Sequence, residues 1–186
     1  MKLLKKLLEK RSDPNTIIVA QDECFIKRAT SVIRAWFPKG ATPEISCPAT
    51  HEKIGICGAI NMDIGKVYSS IVNKFNADTF LRFIKSLVPH IPDGKKFVII
   101  LDNSRTHHAR KVKKYVSENI PNIEFLFLPP YSPDLNPAEN VWKLLRKKAT
   151  HNIYFDTLQA LFTKVKNTLN EFAKPNIELR NFCAVI

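Results

Sequence analysis

Acidic residues are in short supply in this chain of 186 residues. Its 17 Asp and Glu face 29 Lys and Arg, which leaves a formal charge of +12. A surplus of that size points to a polyanionic partner, nucleic acid ahead of an anionic membrane surface. Long apolar runs are also missing: nothing approaches the roughly 20 residues of a membrane-spanning helix. The opening Lys2-Leu3-Leu4-Lys5-Lys6-Leu7-Leu8-Glu9-Lys10-Arg11 is too short and too charged for a span or a signal peptide. Paired cysteines are absent. Cys24, Cys47, Cys57 and Cys183 form no C-x-x-C, so Cys47, His51 and Cys57 have no anchor for a zinc site. Buried free thiols in a reducing cytosol are the expectation, and with them a cytoplasmic protein and no membrane partner. No internal repeat or low-complexity segment is present. What remains is an ordinary composition, 45% hydrophobic and 25% charged, long enough for one domain with a sizeable core.

The stretch Phe97-Val98-Ile99-Ile100-Leu101-Asp102-Asn103 stands out. Five uninterrupted apolar residues read as a strand buried on both faces, and they run straight into a carboxylate. An acid at the end of a central strand lies at the rim where ligands of open α/β sheets gather. Its other reading is a turn or helix-capping residue. Thr16 to Gln21 predicts a second strand that delivers Asp22 and Glu23 at its end, with Cys24 to Arg28 continuing or re-entering the sheet. Trp36 to Gly40 predicts a turn and Pro43 to Pro48 a loop. Lys53 to Met62 and Lys66 to Val72, joined by Asp63-Ile64-Gly65, predict a β-hairpin. Helical spacing follows over Asn76 to His90 and over the basic stretch Thr106 to Asn119, which carries Arg110, Lys111, Lys113 and Lys114. Ile123 to Leu128 is another strand. After the proline-rich Pro129 to Pro137 a helix runs to about Ala149, with Trp142 inward and Lys143, Arg146, Lys147 and Lys148 outward. A further helix spans Asp156 to Phe172. At the front, Leu3, Leu4, Leu7 and Leu8 share one helical face. That helix either ends a linker, contacts DNA or a second subunit, or packs on the domain's own body. This order predicts an α/β fold with a mixed five-stranded sheet, antiparallel early and parallel late, and helices on both faces.

Three acids are then placed to act together: Asp22, Asp102 and Glu139. If the first and fourth strands are neighbours, Asp22 and Asp102 sit side by side. Adjacent carboxylates raise each other's pKa unless a cation offsets them. Oxygen-only ligands favour Mg²⁺ or Mn²⁺, and two such ions roughly 3.5–4 Å apart can activate a hydroxyl and stabilise the leaving oxygen of a phosphodiester. Glu139 has a second reading, because Asn136-Pro137-Ala138-Glu139 fits a helix capping box, and the two roles are compatible.

Three separated blocks carry a resemblance. They are Gln21-Asp22-Glu23 with Trp36-Phe37-Pro38-Lys39-Gly40; Leu101-Asp102-Asn103 with His107; and Leu128 to Pro137 with Glu139-Asn140-Val141-Trp142. Over roughly residues 16–150 the chain resembles the catalytic domain of DDE transposases, in the bacterial and archaeal insertion-sequence branch of the mariner-like superfamily. The interval from Asp102 to Glu139 is similar to that between the family's last two acids. The resemblance implies a ribonuclease H-like fold over residues 14–172, flanked by an N-terminal helix or linker (1–13) and a C-terminal tail (173–186). It implies Asp22, Asp102 and Glu139 as ligands of two Mg²⁺ or Mn²⁺ ions, with strand cleavage at transposon ends and strand transfer into duplex DNA, typically at TA. Asn103 and His107 match positions near the metals and are given positioning roles, each with a plainer reading as a helix-start Asn and a packed His. Arg110, Lys111, Lys143, Arg146 and Lys147 are assigned to DNA positioning, and Tyr131 and Trp142 to anchoring loop and helix. A homodimer in the nucleoid follows as an expectation. So does a partner chain bearing the helix-turn-helix modules that family members carry ahead of this domain. Two other functions remain open: a ribonuclease H-like host nuclease, and a truncated or domesticated copy that only binds DNA.

Overall fold

The protein is described by a computed structural model covering residues 2–41, 44–130 and 132–183. Tyr131 and the first residue of the Pro43 to Pro48 loop lie outside the described residues. The strands are β1 (Thr16–Lys27), β2 (Lys53–Asn61), β3 (Lys66–Val72), β4 (Lys96–Leu101) and β5 (Ile123–Phe127). The helices are α1 (Lys2–Arg11), α2 (Ala77–Leu87), α3 (Arg110–Asn119), α4 (Ala138–Ala149), α5 (Leu158–Phe172) and α6 (Ile177–Phe182). The sheet has the order β3-β2-β1-β4-β5. β1, β2 and β3 pair antiparallel, whereas β4 pairs parallel with both β1 and β5. This is the expected mixed five-stranded sheet.

Alternation along each strand splits the core into two layers. Ile18, Ala20, Ile100 and Leu126 face Trp142, Leu145, Val165 and Phe172 of α4 and α5. Val19, Ile99 and Leu101 face Phe80, Phe83 and Leu87 of α2 and Val112 and Val116 of α3. Phe97 to Leu101 are all 0% exposed, which is why β4 has no polar alternation to show. Leu7 of α1 joins the first layer, as do Leu179 and Cys183 at the C-terminal end. Leu8 is exposed; the Leu3 and Leu4 side chains lie outside what the structure describes. Cys24, Cys57 and Cys183 are buried free thiols, and Cys47 is an exposed one.

One alternative left open by the sequence is decided, and one boundary departs from it. Cys24 to Lys27 continue the first strand: β1 runs unbroken to Lys27, so Asp22 and Glu23 lie inside it and not at its end. The cause is β2, which pairs with it from Val19↔Asn61 to Lys27↔Lys53 and supplies backbone partners past the two acids. α3 starts at Arg110, not Thr106. The preceding residues form a turn in which the N–H groups of His107 and His108 donate to Ser104 O. The described residues between β1 and β2 are largely irregular, and Trp36, 101% exposed, protrudes from them.

The hairpin turn fixes α6. Gly65 has φ +65, and a Cβ there would lie 2.1 Å from Asn176 O and 2.7 Å from Arg180 N. Asn176 N donates to Ile64 O at 3.0 Å across the same contact. Gly65→Ala therefore strains the turn and pushes α6 away. It should lower the thermal midpoint by about 3 °C or more and expose the C-terminal helix to limited proteolysis; an unchanged midpoint would contradict this packing.

Candidate active site

The parallel register of β1 and β4 runs from Thr16↔Lys96 to Ala20↔Ile100. Two residues further on each chain, the same register sets Asp22 level with Asp102. β4 ends at Leu101 while β1 goes on with β2 alone, so the pair opens into a crevice at the carboxyl end of the parallel strands. A cavity of about 380 Å³ lies there, lined by Asp22, Asp102, Asn103, Ser104, Asn136 and Glu139 together with the proline-rich segment after β5.

Asp22 is the more enclosed acid. Burial pushes its pKa up to about 7; the negative charges of Glu23 and Glu139 add to the rise, while bonds from the Glu23 N–H and the Trp142 indole oppose it. The indole Nε1–H donates to Asp22 Oδ2 at 3.0 Å. Room for that ring comes from Gly58, the β2 residue directly opposite Asp22. A Cβ on Gly58 would lie 2.3 Å from the Trp142 ring. Trp142 is thus a core anchor, as expected, and also a hydrogen-bond donor to the site. The apolar pattern of its helix placed it inward.

Asp102 is held differently. Its Oδ1 accepts the Ser104 N–H at 2.9 Å and faces His107 Nδ1 at 2.7 Å. The His107 bond chiefly holds its carboxyl below the usual range. His107 is 1% exposed, and its Nε2 meets Glu23 Oε1 at 3.2 Å. Burial opposes the imidazolium, but the two carboxylates outweigh it and raise the pKa to about 9. Asn103 ties the ends of β4 and β5 together: its Nδ2 donates to Leu128 O, and its Oδ1 faces His108 Nε2 at 3.1 Å.

Glu139 sits in the first turn of α4, half-buried, at the cavity wall. The expected capping box with Glu139 does not form. Asn136 Oδ1 accepts the Ala138 N–H at 3.2 Å, and its Nδ2 donates to Gln21 O at 3.1 Å, which clips the start of α4 to β1. Asp22, Asp102, Asn103 and Glu139 therefore share one cavity, with His107 behind Asp102. The three carboxylates face a common space without closing on one point. Among the described residues, no cluster of three or more His, Cys, Asp or Glu is gathered to metal-holding distance.

None of the basic residues assigned to DNA lines that cavity. Arg110, Lys143 and Lys147 are exposed on α3 and α4. Lys111 pairs with Asp78 at 2.5 Å, and Lys143 Nζ donates to Asn140 Oδ1 at 3.0 Å. Arg146 does not point outward: its Nη2 reaches Cys24 Sγ at 3.0 Å, turned in beside β1.

The sequence pattern of a family described as "DDE superfamily endonuclease" matches residues 17–162. The chain belongs to this family. Within the DDE superfamily it is similar to the "insertion element IS630 uncharacterized 39 kDa protein" of Shigella sonnei, 26% identical over 167 residues. That match covers 90% of this chain and 48% of the Shigella protein. The protein y4pE/y4sA of Sinorhizobium fredii is 31% identical over 109 residues, 58% of this chain and 76% of its own length. The chain thus spans about half the length of the Shigella relative. Among solved structures, the Mos1 mariner paired end complex with Mn superposes with a TM-score of 0.71 at 22% identity, over 98% of this chain and 55% of that one. The catalytic core domain of BIV integrase gives 0.51 at 14% identity, over 83% of each chain. At such identities the likeness carries the fold, which is ribonuclease H-like. No helix among the described residues is long and apolar enough to cross a membrane.

The protonation of Asp22 is measurable in this DDE-superfamily protein. Asp22 ionises near 3.8 in the unfolded chain and near 7 in the folded one. The folded state thus holds a proton that the unfolded state releases, and stability falls as pH rises from about 4 to 7. In chelator, Asp22→Asn should raise the thermal midpoint over wild type, with the gap opening across that window to about 5 °C or more. A gap that does not grow with pH would contradict the burial of this acid.

Proposed function

We propose that this chain is the catalytic domain of an insertion-sequence transposase, cleaving and joining duplex DNA with divalent metal. The observation that carries the proposal is the meeting of Asp22, Asp102 and Glu139, from β1, the end of β4 and the start of α4, around one cavity in a chain of charge +12. The donor set fits the metal: three oxygen donors, one of them pushed up by burial and like charge, suit a hard cation that would relieve the repulsion. Mg²⁺ or Mn²⁺ would be held by these three, as two ions; when bound they activate a water or 3′-hydroxyl and stabilise the leaving oxygen of a phosphodiester.

The chain's own groups supply the rest. The indole of Trp142 fixes Asp22, and Ser104 N–H fixes Asp102. Asn103 and the Asn136 clip hold the cavity walls at the ends of β4 and β5 and at the head of α4. Arg110, Lys111, Lys143 and Lys147 are proposed to position the duplex; Arg146, turned in to Cys24, has no part in this. Residues 14–172 form the proposed catalytic unit. Transposon ends with a TA target, a homodimer, a helix-turn-helix partner chain and association with the nucleoid complete the reading. They rest on the family resemblance, and the transposon ends also on the Mos1 transposase, which shares this fold and is seen in a paired-end complex with the left transposon end.

The test is nicking of a labelled duplex carrying insertion-sequence ends, in Mg²⁺ and in Mn²⁺, beside RNA–DNA hybrids and junctions. Asp102→Asn and Glu139→Gln should each fold as wild type and lose roughly 100-fold or more in rate, the kinetic equivalent of several kcal/mol of lost transition-state stabilisation. Unchanged rates would sink the assignment. Preference for the hybrid would make the protein a host nuclease, and binding without turnover a DNA-binding copy. Lys143→Ala and Lys147→Ala should each weaken duplex binding across sequences and flatten the slope of log affinity against log salt by about 1.

A further inference from the structure

The parallel ladder between β1 and β4 stops at Ala20↔Ile100, two residues short of the acids. Backbone pairing therefore brings Asp102 level with Asp22 but does not itself hold Asp102 against β1. A side-chain bridge crosses that gap. Glu23, the residue after Asp22 on β1, meets His107 Nε2 at 3.2 Å, and His107 Nδ1 meets Asp102 Oδ1 at 2.7 Å. Both ring nitrogens face carboxylate oxygens, and a carboxylate only accepts, so both nitrogens serve as donors. The ring has no freedom to turn away. It is 1% exposed and packs on Phe80 with centroids 4.3 Å apart. The Glu23 side chain is itself only 14% exposed, whereas that of Asp102 is 50% exposed and opens to the cavity.

We propose that Glu23 and His107 form a buried strut that aims the Asp102 carboxylate, making both of them positioning residues for the metal site. The inference rests on the reading of Asp22, Asp102 and Glu139 as metal ligands. Glu23 does not line the cavity, and its carboxylate reaches Asp102 through the imidazole. One oxygen of Asp102 is occupied by His107 and by the Ser104 N–H, which leaves the other to turn toward the cavity. An Asp held by a single backbone N–H would sample several rotamers, and each departure would cost metal affinity.

The experiment uses the full chain and Mn²⁺ as the probe, read by electron paramagnetic resonance without DNA, with far-ultraviolet circular dichroism and the thermal midpoint as fold controls. Glu23→Ala and His107→Ala should each weaken Mn²⁺ binding about 10- to 100-fold, the range for residues that orient metal ligands. Glu23→Gln, which keeps an acceptor for His107 Nε2–H, should restore affinity to within about threefold of wild type; it also serves if the alanine variants unfold. The double variant Glu23→Ala/His107→Ala should bind no more weakly than His107→Ala alone, since one residue acts through the other. Additive losses in the double variant, or wild-type Mn²⁺ affinity in folded Glu23→Ala, would overturn the strut. Asp102→Asn separates the two claims. Its loss of binding alongside intact binding in the strut variants rejects the strut alone, and its wild-type binding overturns the metal-site reading and the strut with it.

Discussion

Burial of Asp22 where the parallel ladder ends is the constraint to which the rest of the site answers. Desolvation raises the proton affinity of that carboxyl, and Glu139 approaching from α4 raises it further. Two neutral donors, the Trp142 indole and a backbone N–H, counter this without adding charge. Asp102, at the same level on the neighbouring strand, is biased the other way by a buried imidazole and the Ser104 N–H. Two acids of one kind, side by side, thus carry opposite protonation preferences imposed by their surroundings. The geometry that allows this is a strand-length mismatch. β1 has 12 residues and β4 only 6, so the shorter strand ends and leaves space beside the longer one.

Much of the fold could be read from residue order because its signals were local. The β4 run has no polar alternation since both faces are covered, and the hairpin announces itself through a glycine whose φ is positive. The extension of β1 was not local. Asp22-Glu23 looks like a strand terminus until β2 supplies nine antiparallel partners alongside, the last of them Lys27↔Lys53. The late start of α3 has a similar cause. No side chain caps the helix at Ala109, and the preceding residues serve as the turn that carries His107 under the sheet's edge. Arg146 reads as a solvent-facing base at its helical position, yet α4 lies close enough to β1 for the guanidinium to reach Cys24.

The site was legible in its acids and less so in what steadies them. Carboxylates at strand ends and at a helix start form a pattern visible along the chain. Trp142 was legible as a core residue but not as a donor to Asp22, because that role depends on the missing Cβ of a glycine on another strand. Asn136 was legible as a cap. Its second bond, to Gln21 O, spans the distance between α4 and β1 and has no sequence signature. Glu139 was open to both a cap and a site reading; Asn136 Oδ1 accepts the Ala138 N–H at the helix start, and Glu139 borders the cavity.

A cluster of acids within a basic protein poses an electrostatic question of its own. The surface ion pairs, such as Lys10–Glu124, Lys96–Asp13 and Lys148–Glu178, occupy several of the 17 acids far from the cavity. Exposed pairs of this kind contribute little to stability, so the charge surplus is better understood through association than through folding. A phosphodiester drawn by that surplus would still meet repulsion from Asp22, Asp102 and Glu139 on entering the crevice. The proposed cations answer both difficulties at once. They would neutralise acids that line one cavity, and so let a phosphate bind beside them. On this view long-range attraction and local chemistry are separate layers. Lysines and arginines outside the cavity lining would bring the polymer in, and the frame of Trp142, Gly58, Asn136 and Asn103 would hold the proposed carboxylates in position.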